Sequence, residues 1–207
     1  STMIENEMLV EMAEIAGLGP SMAEETERTM RGELDFKASL KARVKRFKGK
    51  PAKLLEEATE RLRPMPGGVT LVATMRAQGA TTALVTGGFT CFAEPVGFAF
   101  GFDHIHANHL LISRRKLSGE VAEPILGPEE KRALLLQHAA ELNLSADAVL
   151  AVGDGANDIP MLNAAGLGVA FRAKPTTAAA ARVRIDHADL SALLFLQGYR
   201  RDEFISA

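Results

Sequence analysis

The chain has 207 residues, of which 47% are hydrophobic and 24% charged, a balance that excludes a disordered chain and allows a sizeable core. Its formal net charge of −2 gives no electrostatic reason to expect nucleic acid or an anionic membrane as a partner. No apolar stretch is long enough to span a bilayer. The single cysteine, Cys91, excludes an internal disulfide and a multi-thiolate zinc site, so we expect a reducing, cytoplasmic setting.

The first third of the chain has the periodicity of helices. Apolar residues recur at helical spacing from Met8 to Ala16, and none of the segments that follow alternates as a strand would. Further helices are predicted at residues 22–32, 36–47 and 51–62. These segments predict a small helical bundle, bounded by the proline- and glycine-rich residues 63–68.

Strands and helices alternate in the rest of the chain. Buried strands are predicted at 81–85 and 148–152, because β-branched and apolar residues run there without alternation. Residues 105–121 predict short strands around a turn at Arg114–Lys116, and further strands are predicted at 167–171 and 183–185. The intervening helices are predicted at 69–78, after Gly88 to about 97, at 128–142, up to about 165, and from Pro175.

Such alternation with short connections predicts an α/β fold with a doubly wound, mainly parallel Rossmann-like sheet. The helical bundle is then an inserted cap. We assign residues 1–7 and 63–207 to the α/β core and residues 8–62 to the cap.

The segment Gly153-Asp154-Gly155-Ala156-Asn157-Asp158 follows a buried strand, at the edge of the sheet where ligands bind in open α/β folds. Two carboxylates on a glycine-rich turn can approach one hard cation, and oxygen ligands suit magnesium. The alternative is that Asp154 and Asp158 only cap and turn a strand-to-helix junction.

Two further features could bind a phosphoryl group. Thr86-Gly87-Gly88 follows the other buried strand and offers a hydroxyl and backbone N–H donors, although such a sequence is often only a turn. Lys131 lies in the first turn of a predicted helix, where it opposes the helix dipole. It is either a solvated side chain or the positive charge that a phosphoryl group requires.

The histidines and the cysteine give weaker indications of a functional site than these motifs. His104 and His106 alternate along a probable strand, and His109 follows. A transition-metal site is conceivable, but no acidic or thiol ligand accompanies them in sequence, so surface or hairpin positions are favoured. Cys91 is predicted to be a small buried side chain rather than a nucleophile.

Together these motifs resemble the haloacid dehalogenase-like phosphatases and, within them, the phosphoserine phosphatases. Val85–Phe89 is similar to the family's second motif, Lys131 matches the lysine of the third, and Val152–Asp158 matches the fourth. Ala173-Lys174-Pro175 also fits the family, and the helical insert resembles its cap. The opening residues, Ser1 to Glu7, resemble those that directly follow the family's first motif, Asp-x-Asp-x-Thr.

The resemblance implies magnesium-dependent hydrolysis of O-phosphoserine through an aspartyl-phosphate, the last step of L-serine biosynthesis. Asp154 would bind Mg²⁺, and Asp158 would hold the ion or its waters. The implied catalytic groups are Lys131, Thr86 and Gly87, which also bind the phosphoryl oxygens, while Asn157 orients the phosphate. The implied cap residues are Glu7 for the substrate ammonium, Arg43 for its carboxylate, and Met30 and Phe36, which close over the serine moiety.

The nucleophile would lie just upstream of Ser1, since the resemblance places both aspartates of the first motif there. A small-molecule substrate is expected, without nucleic acid or membrane, in a monomer or homodimer. Two alternatives stay open. One is a phosphatase or phosphotransferase for another small metabolite such as phosphohomoserine. The other, if the chain truly begins at Ser1, is a catalytically inactive phosphate-binding module.

Overall fold

A computed structural model describes residues 1–19 and 21–205. The helices within them are α1 Met8–Ile15, α2 Ser21–Met30, α3 Phe36–Lys45, α4 Lys53–Thr59, α5 Gly68–Ala77, α6 Thr90–Phe100, α7 Pro128–Glu141, α8 Ile159–Ala164, α9 Pro175–Ala180 and α10 Ala192–Leu196. The strands are β1 Ala83–Phe89, β2 His104–Asn108, β3 Leu110–Ser113, β4 Lys116–Val121, β5 Leu150–Gly153, β6 Leu167–Phe171 and β7 Val183–Ile185. No helix in these ranges is both long enough and apolar enough to cross a membrane.

Helices α1 to α4 form the predicted bundle, and its apolar core also includes Phe89 and Phe92 of the α/β part. Met12, Met22, Leu40, Val44 and Phe47 are almost fully buried in it. The helical spacing of these residues places them on the inner faces of their helices, where apolar burial stabilises the bundle. The β3–β4 hairpin packs against the same core.

Two adjacent segments connect the bundle to the rest of the molecule. The backbone N–H of Glu5 donates to the carbonyl of Arg63 at 2.8 Å, and that of Met65 donates to Met3 at 3.0 Å. An isolated antiparallel bridge joins Ile4 to Pro64 between them. The chain therefore enters and leaves the bundle through one short paired connection.

The α/β part has parallel strands covered on both faces, as predicted. Strands β5, β6 and β7 form one parallel sheet, and β1 and β2 form another. Along β5, Ala151 packs into a cluster with α7 and α8, whereas Leu150 and Val152 face the cluster that contains α5, α6 and α10. Because successive side chains of β5 point to opposite faces of the sheet, helices pack on both faces and the part has three layers.

The structure corrects several predicted boundaries. Thr86-Gly87-Gly88 lies inside β1 rather than in a turn after it, because pairing with β2 resumes at Phe89–Asn108 after a shift of register between Val85 and Phe89. Strand β5 begins at Leu150 rather than Ala148, and helix α4 is shorter at both ends than predicted.

The bundle also contacts the α/β part through polar side chains. Lys37 on α3 pairs with Glu130 on α7 at 2.5 Å, and Lys174, directly before α9, pairs with Glu27 on α2 at 2.7 Å. The Thr176 hydroxyl donates to the Arg31 carbonyl at 3.2 Å. All of these side chains are partly exposed. The bundle is thus held over the α/β part by contacts at its rim.

Candidate active site

One cavity of about 660 Å³ lies between the helical bundle and the carboxyl ends of the parallel strands. The ten side chains or backbones proposed from sequence all line it, although they come from distant parts of the chain: Glu7, Met30, Phe36, Arg43, Thr86, Gly87, Lys131, Asp154, Asn157 and Asp158. Such a concave space with convergent polar groups is where a small ligand binds.

Asp154 follows β5 directly and is buried at this edge of the cavity. Its Oδ1 accepts the Thr2 hydroxyl at 2.8 Å, and its Oδ2 lies 2.9 Å from the nitrogen of Ser1. Burial raises the pKa of Asp154, whereas the Thr2 hydroxyl and the charge of Lys131 act to lower it.

Asp158 and Lys131 form a buried ion pair, with 2.6 Å between Asp158 Oδ1 and Lys131 Nζ. Asp158 Oδ2 accepts the backbone N–H groups of Asp154 and Gly155, both at 3.1 Å. Both carboxylate oxygens are thus used to hold the lysine and the loop. A role for Asp158 through metal-bound water stays a prediction.

The residues present fit a hard divalent cation next to Asp154. Asn157 lines the cavity, and its buried Oδ1 is an acceptor with no hydrogen-bond partner among the described residues. Carboxylate and amide oxygens are the ligands that Mg²⁺ takes. Within residues 1–19 and 21–205, no group of three or more His, Cys, Asp or Glu side chains is arranged so that it could hold a metal ion.

The phosphate-binding candidates lie on β1, opposite this loop. Thr86 Oγ1 accepts the backbone N–H of Gly88 at 3.0 Å. The buried Asn108 side chain fixes this end of the strand, since its amide donates to the Gly87 carbonyl at 3.0 Å and its oxygen accepts the Leu126 N–H at 2.7 Å. The strand end is therefore held rigidly toward the cavity.

Arg43 on α3 is only 4% exposed and lines the cavity from the bundle. Its Nη1 donates to Thr26 Oγ1 at 2.8 Å and its Nε to the Ser39 carbonyl at 3.3 Å, and no ion pair of Arg43 occurs in the described part of the chain. Burial lowers the pKa of this guanidinium, while Glu25 and Glu7 raise it. Because an arginine still stays charged, a buried guanidinium without an acid partner is suited to an anionic ligand.

Met30 and Phe36 close the cavity from the bundle side, directly over two glycines. A Cβ at Gly155 would overlap Met30, and a Cβ at Gly87 would overlap the Phe36 ring. The bundle can therefore approach these two backbone positions only because they carry no side chain.

We expect Gly87→Ala to keep the bundle from closing, because its methyl group needs the space of the Phe36 ring. Gly88→Ala is the matched control, since its Cβ would meet only the Thr86 hydroxyl at 3.2 Å. Limited proteolysis of the residues 31–35 segment checks the prediction. Faster cleavage is expected in Gly87→Ala alone, and equal cleavage in both variants would contradict it.

Sequence reasoning missed two residues that complete the site. Thr2 contacts Asp154 from 152 positions away, and Thr26 on α2 contacts Arg43 on α3. Neither pair has a spacing that a sequence pattern could reveal. Cys91 is partly buried, and burial raises its pKa to about 12, in keeping with the prediction that it is not a nucleophile.

The chain was compared with known families and structures. The family description "haloacid dehalogenase-like hydrolase" matches residues 6–163. The chain belongs to this family.

Phosphoserine phosphatase SerB2 of Mycobacterium tuberculosis is 39% identical over 207 residues, which is all of this chain and 51% of that protein. The chain spans about half to three fifths of the length of several such curated relatives. Two solved structures are similar over nearly their whole length. A substrate-bound phosphoserine phosphatase complex has a TM-score of 0.91 at 34% identity, covering 95% of this chain and 93% of the other. A phospho-aspartyl intermediate analogue of phosphoserine phosphatase has a TM-score of 0.90 at 33% identity, covering 94% and 93%.

Proposed function

We propose that the protein is a cytoplasmic, Mg²⁺-dependent phosphoserine phosphatase, which hydrolyses O-phosphoserine to serine and phosphate in the last step of L-serine biosynthesis. The observation that carries the proposal is the cavity that brings Lys131, Asp154 and Asn157 of the α/β part together with Glu7 and with Arg43 of the bundle. A phosphorylated amino-acid zwitterion needs both of these sets of groups. The names of the similar proteins support the same substrate.

The proposed reaction has two steps. The first aspartate of an Asp-x-Asp motif, on the segment directly before Ser1, attacks phosphorus and releases serine, and water then hydrolyses the aspartyl-phosphate. The second aspartate protonates the serine oxygen and then takes a proton from the water. Strands β1 and β5 both line the cavity, and each pairs on one side only within the described residues, which supports a parallel strand between them.

The residues of this chain would neutralise and orient the phosphoryl group. Lys131 places its ammonium next to the phosphoryl oxygens, held there by Asp158. The Thr86 hydroxyl and the Gly87 N–H donate to those oxygens, and Asn157 orients the phosphate. Preorganised donors in a site that excludes water stabilise the charge that develops in the transition state.

Asp154 would hold the magnesium ion, with the unpartnered Asn157 oxygen beside it. When bound, the ion screens the negative charge of the phosphoryl group and of the attacking carboxylate. Below it, Lys131 and Asp158 keep the loop in place whether or not the ion is bound.

The amino-acid end of the substrate would lie under the bundle. Arg43 would bind the carboxylate and Glu7 the ammonium, while Met30 and Phe36 exclude water above it. We propose residues 8–62 as the cap and residues 1–7 and 63–207 as the core, in a monomer or homodimer. The paired connection through Met3–Glu5 and Arg63–Met65 supports this division.

Phosphate release from O-phosphoserine by the full-length protein, with and without Mg²⁺, tests the proposal. Phosphothreonine, phosphohomoserine and a sugar phosphate are measured in parallel. Activity that requires Mg²⁺ and is highest on O-phosphoserine is expected. A preference for a substrate without both an ammonium and a carboxylate would overturn the assignment of Glu7 and Arg43.

We expect Thr26→Val to raise the KM for O-phosphoserine about five- to tenfold with little change in kcat, because Arg43 loses the hydroxyl that orients it. Thr26→Ser keeps the hydroxyl and is expected to restore the KM. A serine variant as impaired as the valine variant would show that packing, rather than this hydrogen bond, is what Thr26 provides. The measurement is steady-state kinetics on the full-length protein.

A further inference from the structure

Three histidines come together at the C-terminal part of α7, where His138 also lines the far part of the cavity described above. His106 on β2 and His138 on α7 have 2.9 Å between their Nε2 atoms, and the ring centroid of His104 lies 4.6 Å from that of His138. His138 is seven residues beyond Lys131 on the same helix, about 10 Å along its axis. The cluster takes no part in the proposed reaction.

Glu141 orients the ring of His138. Its Oε2 lies 3.1 Å from His138 Nδ1, and the hydrogen bond from Gln137 lowers the pKa of Glu141. An ionised carboxylate only accepts hydrogen bonds, so His138 Nδ1 donates to Glu141 and His138 Nε2 faces His106. A histidine that binds a metal through one ring nitrogen typically donates its other N–H to a carboxylate in this way.

His106 completes a pair of nitrogens at the spacing of a chelate. Burial, helped by His138 and His104, lowers the pKa of His106, so its imidazole is neutral at neutral pH and available as a ligand. The 2.9 Å contact between the two Nε2 atoms is a hydrogen bond, so one of these nitrogens carries a proton, which a bound ion would replace. Metal–nitrogen bonds of about 2.0–2.1 Å put two cis ligands about 2.9 Å apart at a right angle, so the two nitrogens already have the spacing of such a pair.

We propose that His106 and His138 form a two-histidine binding site for a divalent transition-metal ion of the Ni²⁺, Cu²⁺ or Zn²⁺ type, with Glu141 as the carboxylate that orients His138. The half-buried His106 and the 16% exposed side chain of His138 leave the nitrogens reachable from solvent. Water would fill the remaining coordination positions of the ion, because the described residues do not provide a third protein ligand at this site. Imidazole nitrogen selects these ions over Mg²⁺, which takes oxygen ligands.

Ni²⁺ binding to the full-length protein, measured by equilibrium dialysis at pH 7.5 in excess Mg²⁺, tests this site. One Ni²⁺ per chain is expected, and either His106→Asn or His138→Asn is expected to weaken its binding at least tenfold. His109→Asn is the matched control, since His109 lies outside the cluster and contacts Thr90. Glu141→Gln is expected to weaken binding less than removal of either histidine.

An Asp154→Asn background separates this site from the proposed magnesium site. The Ni²⁺ that depends on His106 and His138 is expected to persist in that background. Wild-type binding in both histidine variants, or loss of all bound Ni²⁺ with Asp154→Asn, would overturn the two-histidine site. Neither result depends on whether O-phosphoserine is a substrate.

Discussion

Replacing Asp154 with asparagine is expected to lower Mg²⁺-dependent phosphatase activity by more than about a thousandfold, beyond the loss usual for one hydrogen-bond donor. The substitution keeps the shape of the side chain and its contact with Thr2 but removes the negative charge that would hold the cation. The measurement is phosphate release over a range of Mg²⁺ concentrations in the full-length protein.

Asp202→Asn is the control for this experiment, because Asp202 is exposed and pairs only with Arg200. Both variants are expected to show wild-type circular dichroism. Normal turnover in Asp154→Asn would show that the metal assignment is wrong. A loss of folded structure would instead be visible in the thermal transition.

The second large effect is expected from Lys131→Met, which is predicted to remove turnover and to lower the free energy of unfolding by about 3 kcal/mol. The Lys131 and Asp158 side chains are 7% and 5% exposed, so the variant leaves a buried carboxylate without its cation. We expect the lower end of the usual range because Asp158 keeps two backbone N–H donors. Urea denaturation measures the stability change.

The double variant Lys131→Met/Asp158→Asn separates stability from catalysis. It removes both charges, so it is expected to regain most of the lost stability and none of the activity. If the single and the double variant were equally unstable, the cost would come from packing around Lys131 rather than from the uncompensated charge.

The alternation of strands and helices was predictable because it depends on local apolar patterns. Strand β6 and the start of α9 occur where the pattern places them. The end of β1 was predicted wrongly, because Thr86-Gly87-Gly88 has the composition of a turn. Its extended conformation depends on pairing with β2 and on the Asn108 side chain, which are contacts between distant segments.

The candidate site could be predicted mainly from the family resemblance, because the spacing of its residues along the sequence does not show that they lie together. Lys131 and Asp158 are 27 positions apart, and no local pattern indicates that they form a buried pair. The histidines show the opposite case. No acidic ligand could be assigned to His104 and His106 from the sequence around them. The fold nevertheless brings His138 and Glu141 of α7 next to them.

The partly exposed ion pairs at the rim of the bundle, Lys37–Glu130 and Lys174–Glu27, bear on how a ligand enters and leaves. Pairs of this kind contribute about 0–1 kcal/mol each and weaken as salt screens them. The apolar contacts of the bundle with Phe89 and Phe92 do not depend on such charges. Ionic strength therefore acts on the rim and leaves the buried Lys131–Asp158 pair untouched, so salt would change how readily the rim opens before it changes the chemistry inside.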